Sequence, residues 1–175
     1  MSENKNLKAA RLARLAVAAA MYAALTFVLS GISFGAVQFR FAELLVLLCF
    51  YRRDYCISMI VGCFVANCFS PMALMDMVFG TLATAVAVLP MFRMKNIWLA
   101  SLLPVVSNAV IVAAELYIAF GQPLWLGMLT VGAGELVVVT IIGCPLYKVM
   151  EKNRRFMQLI GTEKNISGKK VDADS

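Results

Sequence analysis

Six apolar runs, Leu12–Ser30, Phe41–Tyr51, Tyr55–Phe69, Met72–Phe92, Ile97–Phe120 and Leu124–Val149, alternate along the chain with short polar breaks. A helix rises about 1.5 Å per residue and the bilayer hydrocarbon is about 30 Å thick, so a full crossing takes about 20 residues. Phe41–Tyr51 and Tyr55–Phe69 fall short of that length. The pattern predicts an all-α integral membrane protein with six transmembrane helices, two of them short. Either the short helices tilt behind their neighbours, or the preceding Gly31–Phe39 stretch dips into the membrane to complete a crossing. Irregular backbone at that depth is tolerated only where protein or a water-filled cavity surrounds it, so a dipping loop points to a binding cavity. The breaks agree with these boundaries. Asp54, Ser70, Asn96 and Gln122 stand where helix N-caps fall, with Pro71 and Pro123 at the next position, and Gly121 is placed to stop the fifth helix. Pro90, Pro104 and Pro145 lie inside helices, where each removes a backbone donor and favours a kink.

Composition narrows the class. The 175 residues are 62% apolar and 15% charged, against about 45–50% and about 25% in soluble domains. Too little polar surface remains to coat a water-soluble monomer, which sets aside soluble-enzyme and nucleic-acid-binding readings despite a net charge of +6. Of the Lys and Arg residues, all but Arg40 fall before or at the start of the first run, between the second and third, between the fourth and fifth, or from Lys148 onward. The positive-inside rule makes that side the cytoplasm and places both termini there. The organisation expected is a basic cytoplasmic N-terminus over residues 1–10, a six-helix membrane domain over residues 11–150, and a polar, disordered cytoplasmic tail over residues 151–175. Several apolar segments follow the basic, Ala-rich opening, so it reads as a retained first span rather than a cleaved leader. Five cysteines without a C-x-x-C pair, in a chain without histidine, read as buried thiols, and no metal site is expected.

Charge inside the membrane is the informative exception. Arg40, Glu43, Asp76, Glu115 and Glu135 lie within or at the outer edge of apolar runs, and each costs about 2.5–3.5 kcal/mol at mid-membrane unless partnered. Arg40 can pair with Glu43 at i, i+3 spacing, but one cation does not neutralise four acids. Ser101, Asn108 and Glu115, spaced by seven, share one face of the fifth helix, and Asp76, Gly80, Thr84 and Ala87 form a small and polar stripe on the fourth. Cys63 and Asn67 are one turn apart on the third, where Asn67 serves equally as glue between helices. The surplus of outward-lying acids calls for a ligand with several hydrogen donors or a positive charge, or for coupling to protons or sodium. On the first helix Ala9, Ala13, Ala16, Ala20 and Ala24 give small-x-x-x-small spacing, which suits close packing either within the chain or against a partner subunit.

The stretch Ser33-Phe34-Gly35-Ala36-Val37-Gln38-Phe39-Arg40-Phe41-Ala42-Glu43 resembles the signature S-F-G-x-x-Q-F-R-x-x-E of the queuosine-precursor (QueT) family, substrate-binding S components of energy-coupling factor transporters. The resemblance continues through Ala66-Asn67, Asp76 with Phe79 to Thr84, Pro104 with Asn108, Glu115 and Glu135, and covers roughly residues 9–150. Ala36 and Ala42 depart from it, standing where the family often has Pro and Ser.

The resemblance implies a six-helix S component taking up a 7-deazapurine precursor of queuosine, in the aminomethyl (preQ1) or cyano (preQ0) form, across a prokaryotic plasma membrane. It further implies a membrane coupling subunit (EcfT-like) docked on the first helix through Ala16, Ala20 and Ala24, and two cytoplasmic ATPase subunits that use the ATP. The chain itself has no phosphate-cradling G-x-x-x-x-G-K-[ST] loop, and no enzymatic activity or cofactor of its own is expected. Substrate binding falls to Phe34 and Gln38 in a lid loop, with Asp76, Asn108, Glu115 and Glu135 lining the site, Asn67 as a further donor, and Arg40 and Glu43 orienting the lid or touching the ligand. The ligand chemistry fits: a carboxylate accepts the adjacent N1–H and N2–H of a 7-deazaguanine, amide or guanidinium donors serve its O6 and N3, and an aminomethyl cation asks for a second carboxylate. Phe34, Phe39 or Trp125 can cover the ring. The alternatives are an S component for riboflavin, thiamin or folate, and a stand-alone ion-coupled carrier.

Overall fold

The computed structural model describes residues 2–29 and 40–161, with side chains from residue 8 onward within those ranges. Among the described residues the chain is helical throughout, in the order α1 (Ser2–Val28), α2 (Phe41–Tyr51), α3 (Tyr55–Asn67), α4 (Ala73–Met91), α5 (Ile97–Phe120), α6 (Leu124–Met150) and a short α7 (Arg154–Ile160). Four of these are long and apolar enough to cross a membrane: Lys8–Val28 within α1, then α4, α5 and α6. The expected six crossings thus appear as four helices of crossing length and two shorter apolar helices, α2 and α3.

Helix ends follow local chemistry in part. Asn96 caps α5 by accepting from Trp98 N at 2.9 Å, and Gly121 ends it in the left-handed conformation at φ 67°. The caps expected at Ser70 and Gln122 shift by one or two residues, to Met72 and Pro123. Asp54 precedes α3 without capping it, because its carboxylate takes hydrogen bonds from Arg11 and Arg52 instead.

Two helices depart from α geometry. Phe41–Leu47 is 3-10 and continues as α-helix through Tyr51, and Leu136–Gly143 in α6 is π-helical. The π stretch holds the β-branched run Val137 to Ile142 and ends just before Pro145. β-Branched side chains crowd an α-turn, and the proline ring excludes the carbonyl four residues back, so wider turns relieve both. The two irregular stretches pack on each other: a methyl group at Gly143 would come within 2.9 Å of Leu47 and 3.2 Å of Leu44.

Helix α1 lies against α3, seated by Gly62, where a methyl group would meet Ala19 O at 2.8 Å. Its inward line is Ala18, Tyr22 and Thr26, while Ala16, Ala20 and Ala24 are exposed. The main core fills the space between α1, α2, α3 and the later halves of α4 and α6, with Phe50, Tyr51, Met59, Met91 and Val138 buried in it.

Basic residues gather at one end. Arg11 and Arg52 both bind Asp54, the latter at 2.8 Å, and Arg52 reaches on to Gly161 O at 2.8 Å. Arg14 donates to Leu159 O and Tyr55 to Ile160 O, so three side chains satisfy carbonyls left open at the C-terminus of α7. Residues 154–160, within the segment expected to be a disordered tail, are therefore helical and docked. Phe156, Met157 and Ile160 form a small apolar face within a polar sequence, and Asn153 caps the turn through Arg155 N and Phe156 N. Burial on this turn pushes the Asp54 carboxyl up, but the two arginine hydrogen bonds outweigh it and hold it below the ordinary range.

Candidate functional site

The opposite end holds the charges that sequence alone could not balance. Short turns bring the start of α2, the α3–α4 junction and the end of α5 together there, and Arg40, Glu43, Asn67, Asp76, Asn108, Glu115 and Glu135 are all buried. Arg40, at the entry to α2, does not take Glu43 as its partner by geometry. Its Nη2 donates to Asn67 Oδ1 at 3.1 Å and lies 3.6 Å from Asp76 Oδ1. Asn67 in turn donates to Asp76 O at 2.7 Å and to Cys63 Sγ at 3.4 Å, so it binds α3 to α4 while holding the guanidinium. Gly80 makes room for this, since a methyl group there would come within 2.7 Å of Asn67 Nδ2. Ser70 donates to the other oxygen of Asp76 and also accepts from Met72 N.

Glu43 is held from another side. The Tyr22 hydroxyl of α1 donates to Glu43 Oε1, both residues being at most 1% exposed. Thr26 donates to Tyr22 O, one turn on, along the same inward line. Glu43 Oε2 has no hydrogen-bond partner among the described residues.

The remaining acids are less satisfied still. Among the described residues no N–H or hydroxyl reaches either oxygen of Glu115, whose carboxyl faces that of Asp76, or Oε2 of Glu135, which is in electrostatic range of Glu43 and Arg40. Among the described residues Asn108 also lacks partners on both amide atoms, although the adjacent Ser107 ties α5 to α4 by donating to Ala83 O at 2.6 Å. Buried polar groups are almost always hydrogen-bonded, because an unpaired one costs about 1–3 kcal/mol and more when charged. Orphan atoms on Glu43, Asn108, Glu115 and Glu135, each residue at most 2% exposed, mark groups whose partners lie outside the described residues.

Chemically, the arrangement offers carboxylate acceptors from α2, α5 and α6, an amide with both donor and acceptor, and one guanidinium fixed between α2, α3 and α4. That suits a polar molecule rich in N–H donors. Among the described residues no group of three His, Cys, Asp or Glu side chains is placed to hold a metal ion.

Other expectations sort as follows. Ser101, Asn108 and Glu115 do share a buried face of α5, and Ser101 meets Thr140 of α6 at 3.0 Å. Asp76, Gly80, Thr84 and Ala87 line the buried face of α4. Trp125 is 65% exposed at the start of α6, on the outer surface. Phe34, Gln38 and Phe39 lie outside the described residues. Tyr22 and Ser70 are the site-supporting residues that sequence reasoning missed. Tyr22 left one faint signal, since it falls four residues after Ala18 and four before Thr26, a line interrupted by neither charge nor bulk.

Comparison with known proteins identifies a family and a relative. The profile of the family described as QueT transporter matches residues 12–152. A curated protein named Queuosine precursor transporter QueT, from Lactococcus lactis subsp. cremoris (strain MG1363), is 36% identical over 84 residues, which is 47% of this chain and 49% of the relative. The chain thus matches about half the length of that relative. No solved structure matches.

Proposed function

This chain belongs to the QueT transporter family and is a multi-pass membrane protein, and we propose that it is the substrate-binding S component of an energy-coupling factor importer for a queuosine precursor of the 7-deazaguanine type. The observation that carries this reading is the set of buried polar atoms on Glu43, Asn108, Glu115 and Glu135 that have no partner among the described residues. A 7-deazaguanine supplies what they lack. Its N1–H and N2–H suit the open carboxylate of Glu115, and Asn108 can serve the O6 edge.

Asp76 and Asn67, already engaged, hold Arg40 in place beside the ligand. Phe34 and Gln38 belong to the lid of this reading. In the same reading α2 and α3 complete six crossings, both termini are cytoplasmic, and the basic end meets the ATPase side. The exposed Ala16, Ala20 and Ala24 take the coupling subunit, and two partner ATPases hydrolyse the ATP. The relative's name, a queuosine precursor transporter, supports the ligand class.

Calorimetric titration of the purified protein with the aminomethyl and cyano 7-deazaguanines, with guanine, riboflavin and thiamin as controls, tests the proposal. Tight binding of a deazaguanine with weak or no binding of the controls is the expected result. Binding of a control vitamin alone would replace the ligand while keeping the S-component reading. Uptake in cells that stops with an ionophore but survives ATP depletion would replace that reading with an ion-coupled carrier.

A further inference from the structure

Charge bookkeeping at the polar end leaves one imbalance that a neutral deazaguanine ring does not remove. Four carboxylates, Glu43, Asp76, Glu115 and Glu135, are buried around one described cation, Arg40. Every other basic residue lies at the chain ends or in the α2–α3 and α4–α5 turns. Arg40 is directed at Asn67 and Asp76 on the α3–α4 side. Glu43 and Glu135 sit on the other side, brought together by the packing of the two irregular helical stretches. Where Leu47 meets Gly143 the helices touch. Counting back toward the polar end, Glu43 is four 3-10 residues away and Glu135 eight residues through the shallower π turns, so the two carboxylates stand at similar depth. They are in electrostatic range of each other and of Arg40, whose single charge is shared with Asp76. Tyr22 occupies Glu43 Oε1, which leaves Glu43 Oε2 and Glu135 Oε2 without a partner among the described residues in a buried place. Two like charges so placed are unfavourable, and either one carboxyl takes up a proton or a cation with its own donors lies between them.

We propose that Glu43 and Glu135 form a cation subsite between α2 and α6 that receives a primary ammonium group on the ligand, distinct from the Glu115 and Asn108 groups that take its ring. This rests on the function proposed above and narrows it to the aminomethyl class of 7-deazaguanine. An ammonium group has three donors: two serve the free oxygens, and the third remains for a further acceptor. A nitrile, which is neutral and only accepts, meets two carboxylates there and gains nothing.

Calorimetry on the full-length protein in detergent reads the difference. The wild type should bind the aminomethyl compound roughly 100-fold more tightly than its neutral hydroxymethyl isostere, as removing one partner of a buried charge interaction predicts. E43Q and E135Q should each narrow that gap by roughly 10-fold or more, whereas E115Q should weaken both compounds alike and leave the gap in place. Equal affinity of the wild type for the two compounds, or a gap that E43Q and E135Q do not change, overturns the subsite even if deazaguanine binding itself stands. Failure of every deazaguanine to bind wild type overturns the ligand reading and this inference with it. A hydroxymethyl affinity that rises when sodium chloride replaces choline chloride, in wild type but not in E135Q, would assign the subsite to sodium instead. The wild-type comparison of the two compounds stands even if a variant does not fold.

Discussion

At the scale of single residues, the tyrosine on α1 matters more than its sequence context suggests. Tyr22 is the described donor to Glu43, and a hydrogen bond to a charged group contributes about 1.5–3 kcal/mol. Tyr22→Phe removes only the hydroxyl, so the packing between α1 and α3 stays. Calorimetry should show deazaguanine affinity falling by roughly 10-fold or more, and the melting temperature should fall as well, because a buried oxygen of Glu43 loses its donor. A melting temperature that falls while affinity holds would make the hydroxyl structural. The acids were legible in the sequence because charge in an apolar run is costly wherever it sits. Their partners were not. Arg40 has an acid three residues away at Glu43, yet it pairs with Asp76, because the α3–α4 junction delivers that carboxylate together with Asn67. Tyr22 escaped notice for a related reason: a tyrosine among apolar residues signals nothing until the acceptor from another helix is known.

At the scale of helices, glycines set several close approaches, and two of them serve different neighbours. Gly80 lets Asn67 and Arg40 lie against α4, and a methyl group there would sit 2.7 Å from Asn67 Nδ2. Gly62 seats α1, with a methyl group 2.8 Å from the Ala19 carbonyl. Overpacking of this kind typically costs about 1–3 kcal/mol. The two should differ in what they damage. Gly62→Ala should lower the melting temperature, because backbone opposes it and cannot rotate away. Gly80→Ala should weaken ligand binding as well, because the atom displaced belongs to the group that holds Arg40. Thermal melts and titrations of both variants check this, and equal effects on binding would remove the distinction. Helix boundaries were largely legible here, since polar breaks and caps such as Asn96 and Gly121 act within a few residues. The 3-10 start of α2 and the π stretch of α6 were not, because a β-branched run and a proline permit such turns without requiring them. The contact of Leu44 and Leu47 with Gly143 selects them.

At the scale of the whole molecule, the two ends differ in chemistry and the first helix spans both. Its basic end is fixed through Arg11 and Arg14 to Asp54 and to the α7 carbonyl of Leu159, and its far end through Tyr22 to Glu43. The Asp54 carboxyl titrates below its ordinary range, so its contribution is complete above the unfolded value of about 4 and is lost as pH falls through the lower folded value. A mobility probe on exposed residue 158 should therefore stay ordered at neutral pH and loosen only in strong acid, whereas Asp54→Asn should loosen it at every pH. Because the site is partly open to water, the effect on global stability should be small. The gathering of basic residues at one end was legible from charge alone, whereas the docking of α7 was not, since three apolar residues in a polar tail become a face only when coiled into a helix. Between its two anchors α1 turns Ala18, Tyr22 and Thr26 inward and leaves Ala16, Ala20 and Ala24 exposed. Sequence left the alanine stripe open to either role, and these three of its residues are not buried within the chain. Replacing Ala20 with Leu adds bulk only on the outer face, so ligand affinity of the isolated protein should be unchanged within about 2-fold, as for a surface substitution away from the core. If the outer face receives the coupling subunit, the same change should abolish uptake in cells that carry the full transporter, because small residues are what allow two helices to approach closely within a membrane. Parallel measurement of binding and uptake decides it: loss of both would place Ala20 inside the fold, and loss of neither would move the partner to another face.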